Sequence, residues 1–162
     1  MMRARAAAAT RAAFGGAFIL LAESAVLAGW TPISTWTTPI CWWGYLLVLD
    51  ALLESRTGRS LFAQRPQRFA GWVTLSVLFW LLFEAYNLRL RNWEYVGLPA
   101  DPRARAAGYL AAFATILPGL FLTSAVLRSF GLFETLRCRP RRLNRRGRRL
   151  CMATGAACLA PP

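Results

Sequence analysis

Four apolar runs divide the chain, at about 12–30, 38–54, 69–88 and 106–127. A helix needs roughly 20 largely apolar residues to cross the hydrocarbon of a bilayer, within a workable range of about 17–25. All four runs reach that range, the second only just. The hydrocarbon offers no water to a free amide, so a crossing segment must satisfy its own backbone, and each run is expected to be a helix. The expected fold class is therefore all-α: a polytopic transmembrane bundle of four helices over 12–127. A basic tail (1–11) precedes it and an Arg-rich tail (128–162) follows. Composition agrees, with 56% hydrophobic residues, seven tryptophans and a mean hydropathy of +0.36. The first run could be a signal peptide, because "VLA" before Gly29 resembles a cleavage site. Glu23 interrupts its apolar region and three more runs follow, so an uncleaved helix is expected.

The net charge is +13, and all twenty basic residues are arginine. Arginine without lysine points to a GC-rich bacterial genome. Clustered arginine can neutralise nucleic-acid phosphates, but here it lies between apolar runs, where membrane loops carry it. No nucleic-acid partner is expected. With both termini placed together, sixteen arginines fall on one side and four (Arg89, Arg91, Arg103, Arg105) on the other. The positive-inside rule then puts both termini in the cytoplasm and the protein in a bacterial inner membrane. The tail runs from dense arginine into a short coda, Leu150 to Pro162, too short to span. It is expected to be disordered, with anionic lipid as a partner for its charges. Besides the bilayer, a protein partner or a second copy is the remaining partner class.

Cys41, Cys138, Cys151 and Cys158 form no C-x-x-C pair and the chain has no histidine, so metal binding is not expected. Nothing in the sequence names a cofactor.

Four of the seven acids lie in or beside the apolar runs: Glu23, Asp50, Glu54 and Glu84. A charge at mid-membrane costs about 2.5–3.5 kcal/mol on insertion scales and usually turns toward the bundle interior and a partner. Glu23 and Glu84 fall at similar depths near one end of the bundle. Trp80, Glu84, Asn87 and Arg91 follow helical spacing on one face. Together with Glu23 they form a candidate polar pocket for a mostly apolar molecule with one polar or cationic centre. The plainer alternative pairs Glu84 with Arg89 or Arg91, leaving Trp93 and Tyr95 as an aromatic belt. Asp50 and Glu54, one turn apart, form a second candidate cluster with Arg56 and Arg59. Small residues at Ala107, Ala111, Thr115, Gly119 and Thr123 form a helix-packing stripe, repeated more weakly at Ala8, Ala12 and Gly16. Pro118 is expected to kink the fourth helix.

The constellation "D…GRSL…FWLLFEAYNLRLRNWEY…FATILPGLF", Asp50 to Phe121, resembles a group of uncharacterised bacterial multi-pass membrane proteins. A fainter resemblance is to the small membrane-bound lycopene cyclases of carotenoid synthesis. Their helices end in an acid, a short basic stretch and W-x-[FY], similar to Glu84, Arg89 and Trp93-Glu94-Tyr95. Where that family carries Pro-hydrophobic-Glu-Glu, this chain has Leu98-Pro99-Ala100-Asp101, without the paired acids that would protonate a polyene. The expected function is a non-enzymatic membrane component or partner-binding protein. The alternative is a membrane enzyme acting on an isoprenoid or lipid, and the third reading is a small transporter.

Overall fold

The computed structural model describes residues 2–132, 134–135 and 143–158. Among them every regular element is helical: α1 (Met2–Leu27), α2 (Thr31–Ser34), α3 (Thr37–Thr57), α4 (Leu61–Gln64), α5 (Pro66–Leu90), α6 (Pro102–Phe113), α7 (Ile116–Ser129) and α8 (Arg145–Cys158). The long helices run up, down, up and down. One end of the bundle gathers Arg11, Arg56, Arg65 and Arg128; it is called the arginine end below. The opposite end carries the C-terminus of α1 and the loop from Arg91 to Asp101.

Three segments are long and apolar enough to cross a membrane: Arg5–Leu27, Pro66–Leu90 and Pro102–Ser129. The fourth expected crossing falls in α3. That helix has the length, but Asp50, Glu54 and its polar aromatic residues dilute its hydropathy, so composition alone does not qualify it. Packing makes α3 the centre of the bundle nonetheless. Leu46 and Asp50 are fully buried, and Leu46, Leu49, Leu61, Leu122 and Val126 form the core cluster between α3, α4 and α7. The outward faces of α1, α5 and α7 stay apolar and exposed, as at Leu20, Leu78 and Phe121. Apolar exposure on that scale is the signature of a surface meant for lipid or a partner.

Helices α1 and α3 meet at a glycine crossing. A Cβ on Gly44 would lie 2.6 Å from the Gly15 carbonyl, and one on Gly15 would lie 2.5 Å from the Gly44 carbonyl. Ala8, Gly15 and Ala22 recur every seventh residue along this buried seam, with Ala25 beside them. Seven-residue spacing of small residues is what brings two helix backbones close along their length. The seam therefore runs through Gly15; Gly16, expected to serve it, faces open space.

The last crossing segment breaks between α6 and α7. Pro118 has no N–H to give, and Ser76 of α5 opens the ladder one residue earlier. Leu117 N–H donates to Ser76 Oγ (3.0 Å), which donates onward to the Phe113 carbonyl (2.5 Å). A hydroxyl inserted in place of a direct helical bond is a recognised cause of a kink. The small-residue stripe packs here as expected from Ala111 onward. Trp43 Nε1 donates to the Ala111 carbonyl (3.0 Å), Gly119 lies under Trp42, and Thr123 shares a 2.8 Å hydrogen bond with Tyr45. Ala107 is exposed.

The tail expected to be disordered is helical in its described part: α8 begins where Asn144 Oδ1 accepts the Gly147 amide (2.8 Å) and buries none of its residues. Cys138 lies outside the described residues.

The crossing predicts unequal costs for neighbouring glycines. Gly44→Val should destabilise the protein by about 1–3 kcal/mol through overpacking, read as a lower unfolding midpoint in detergent. Gly16→Ala should be neutral or slightly stabilising. Equal effects would remove the crossing from its structural role.

Candidate functional site

The expected cluster of Asp50 and Glu54 with Arg56 and Arg59 is not what forms. Both acids turn to Arg11 of α1. Its Nη2 bonds Glu54 Oε2, and its Nε sits 3.4 Å from Asp50 Oδ2. Asp50 is fully buried and uses its other lone pairs on the α3–α4 turn. Oδ2 accepts from the Ser60 hydroxyl (2.7 Å), while Oδ1 accepts from the amides of Leu61 (2.6 Å) and Phe62 (3.3 Å). Ser60 in turn caps α4 by accepting from the Ala63 amide. A carboxylate with this many donors is a structural latch. Arg56 instead reaches α7, donating to the Ser129 carbonyl (2.9 Å) and covering the Phe130 ring at 3.8 Å. Among the described residues, neither Arg56 nor Arg59 lies within ion-pair distance of an acid. Sequence reasoning missed Arg11 because it was placed in the tail, outside the first helix.

At the opposite end the face Trp80–Glu84–Asn87–Arg91 divides into two tasks. Glu84 Oε1 accepts from Trp80 Nε1 (3.1 Å) and from the Tyr95 hydroxyl (2.5 Å). Neither Arg89 nor Arg91 pairs with it. Asn87 ends the helix: its Oδ1 accepts the amides of Asn92 and Trp93, and its Nδ2 donates to the Trp93 carbonyl. Arg91 sits just past α5 in the left-handed region, with φ 51°. That conformation is unfavourable for a side chain with a Cβ, and the Asn87 bonds hold it. Arg91 is thus part of a helix stop, exposed and away from Glu84. Asp101, at the position of the absent acid pair, caps α6 by accepting from the amides of Arg103 and Ala104.

Glu23 and Trp80 do share a space. An open groove-like cavity of about 1340 Å³ runs between α1, α3, α5 and the α6–α7 segment. Glu23, Cys41, Trp42, Trp80, Tyr95 and Phe113 line it toward one end, and Arg128 and Glu134 toward the arginine end. Between them the wall is largely aliphatic and aromatic, with Leu120, Thr123 and Leu127 along α7. The Cys41 thiol donates to Glu23 Oε1 at 3.5 Å. The kink at Ser76 and Pro118 bends the α6–α7 segment beside this space. Glu84 stands behind the wall and fixes two of its members, Trp80 and Tyr95. The periodicity of one helix could not reveal this space, because α7 supplies much of its wall and Tyr95 comes from a loop.

Among the described residues, no three His, Cys, Asp or Glu side chains converge to hold a metal. Comparison with protein-family models, with curated proteins and with solved structures gives no match, so function is argued from geometry alone.

Burial, and then the hydrogen bond to the Glu84 carboxylate, push the Tyr95 phenol above its usual value; the Trp80 N–H opposes them. A raised folded-state pKa stabilises the fold below the ordinary tyrosine value of about 10, and that contribution is lost as pH climbs through the raised value. Thermal midpoints of the wild type and Tyr95→Phe should therefore differ at pH 8 and converge at the alkaline end of the titration. Parallel curves across that range would show that the Tyr95–Glu84 bond contributes nothing to stability.

Proposed function

We propose that this is an integral protein of a bacterial inner membrane with four crossings and both termini cytoplasmic, which holds a long, mostly apolar molecule between its helices and does no chemistry on it. Membrane association has direct support in the three apolar helices and their exposed outer faces. The fourth crossing is α3, whose two acids share the Arg11 guanidinium rather than standing bare to lipid. The sixteen-to-four arginine division supports the orientation.

The cavity is the observation that carries the functional reading. Its roughly 1340 Å³ exceeds the range of about 300–1,000 Å³ common for small-molecule sites. From Ala112 to Leu127 it follows fifteen residues of the bent α6–α7 segment, at most on the order of 22 Å at 1.5 Å per residue. An elongated space with a largely apolar wall suits an acyl or isoprenoid chain. Retention is favoured over catalysis because the charged groups stand at the two ends, and the wall between them carries only the hydroxyls of Tyr45, Thr123 and Ser124 among apolar side chains.

Purification in mild detergent followed by mass analysis of bound molecules tests this reading. The wild type should carry a chain-bearing molecule at near-stoichiometric amount. Ser124→Trp places an indole in the cavity from an exposed lining position. It should lower retention at least about fivefold while moving the thermal midpoint by no more than about 3 °C. Equal retention by both proteins would overturn the reading.

A further inference from the structure

The two ends of the bundle treat their acids differently. At the arginine end, Asp50 and Glu54 share a guanidinium. At the opposite end, no guanidinium among the described residues pairs with Glu23 or Glu84: Glu84 is met by an indole and a phenol, and Glu23 by a thiol. Glu23 lies within an apolar segment, Arg5–Leu27, yet is exposed to the cavity. An acid placed this way in a crossing helix ordinarily marks a ligand or ion path, because an uncompensated charge there is costly.

Its surroundings indicate what would compensate it. Trp42, Tyr45, Trp80, Tyr95 and Phe113 line the same cavity. Aromatic faces attract cations, and the attraction grows where water is excluded. The cation that could compete, Arg128, is far away. Cys41 beside Glu23 and Arg56 beside Ser129 are fifteen residues apart on α3, on the order of 22 Å. Arg128 also shares its end with Glu134. None of Arg89, Arg91, Arg103 or Arg105 lines the cavity.

We propose that the cavity selects a lipophilic cation, with the apolar body along α7 and the positive centre held by Glu23 among the aromatic side chains. This rests on the cavity reading given above and adds the charge of the ligand to it. Glu84 acts as a positioning residue, since it holds Trp80 and Tyr95 from behind.

Tetraphenylphosphonium and tetraphenylborate have the same shape and opposite charge, so they separate charge from apolarity. Both would be titrated calorimetrically against the full chain in lipid nanodiscs, with empty nanodiscs subtracted. The wild type should bind the phosphonium at least about tenfold more tightly than the borate. Glu23→Gln should weaken phosphonium binding about tenfold and leave borate binding unchanged; a neutral side chain there favours insertion. Ser124→Trp should weaken the phosphonium too. Equal binding of both ions, each reduced by Ser124→Trp, would overturn the charge selection and leave the apolar cavity standing. Binding of neither ion would overturn both.

Discussion

The bundle depends on one buried carboxylate. Asp50 reaches three parts of the chain at once: Arg11 on α1, the Ser60 hydroxyl, and the first amides of α4. These contacts fix where α3 ends and how the chain turns back toward α5. They also set α1 against α3, whose close approach at Gly15 and Gly44 lies between about one and two helical turns away. Removing one partner from such a network strands the others, and a stranded buried charge costs several kcal/mol. Through this latch a helix carrying two acids takes the central place in the bundle.

The cavity follows from the same frame. With α1 and α3 fixed on each other, α7 packs along α3 through Tyr45–Thr123 and Leu46–Leu122, while α5 reaches α7 through Ser76. The bend at Ser76 and Pro118 gives the α6–α7 segment two directions. A straight helix there would change its register against α3 or α5, and the space between Glu23 and Arg128 would change with it. The polar contacts of Ser76, Thr115 and Thr123 are all made within the bundle, so the surface turned outward can remain apolar.

Much of this was legible in the chain. Run length and backbone satisfaction gave helices at the four expected places, and the small-residue stripe marked α7's packing face from Ala111 to Thr123. Partners were harder to read. Helical spacing grouped Trp80, Glu84, Asn87 and Arg91 on one face, but Arg91 lies past the end of α5 in a left-handed turn and Asn87 serves the helix stop. Local proximity suggested Arg56 and Arg59 for Asp50 and Glu54. The antiparallel return of α1 supplies Arg11 from 43 residues away, a contact that only the tertiary arrangement determines. Tyr95 looked like an interfacial aromatic residue, and its bond to Glu84 depends on the path of a loop.

We propose that α3 crosses the membrane as the fourth span, carried by the Arg11–Asp50–Glu54 cluster despite its modest hydropathy. Reporter fusions after Thr35 and after Gln64 bracket that helix and test the claim most directly. The account predicts opposite compartments, periplasm for the Thr35 fusion and cytoplasm for the Gln64 fusion. The same compartment for both would contradict it, since α3 would then return to the side from which it came.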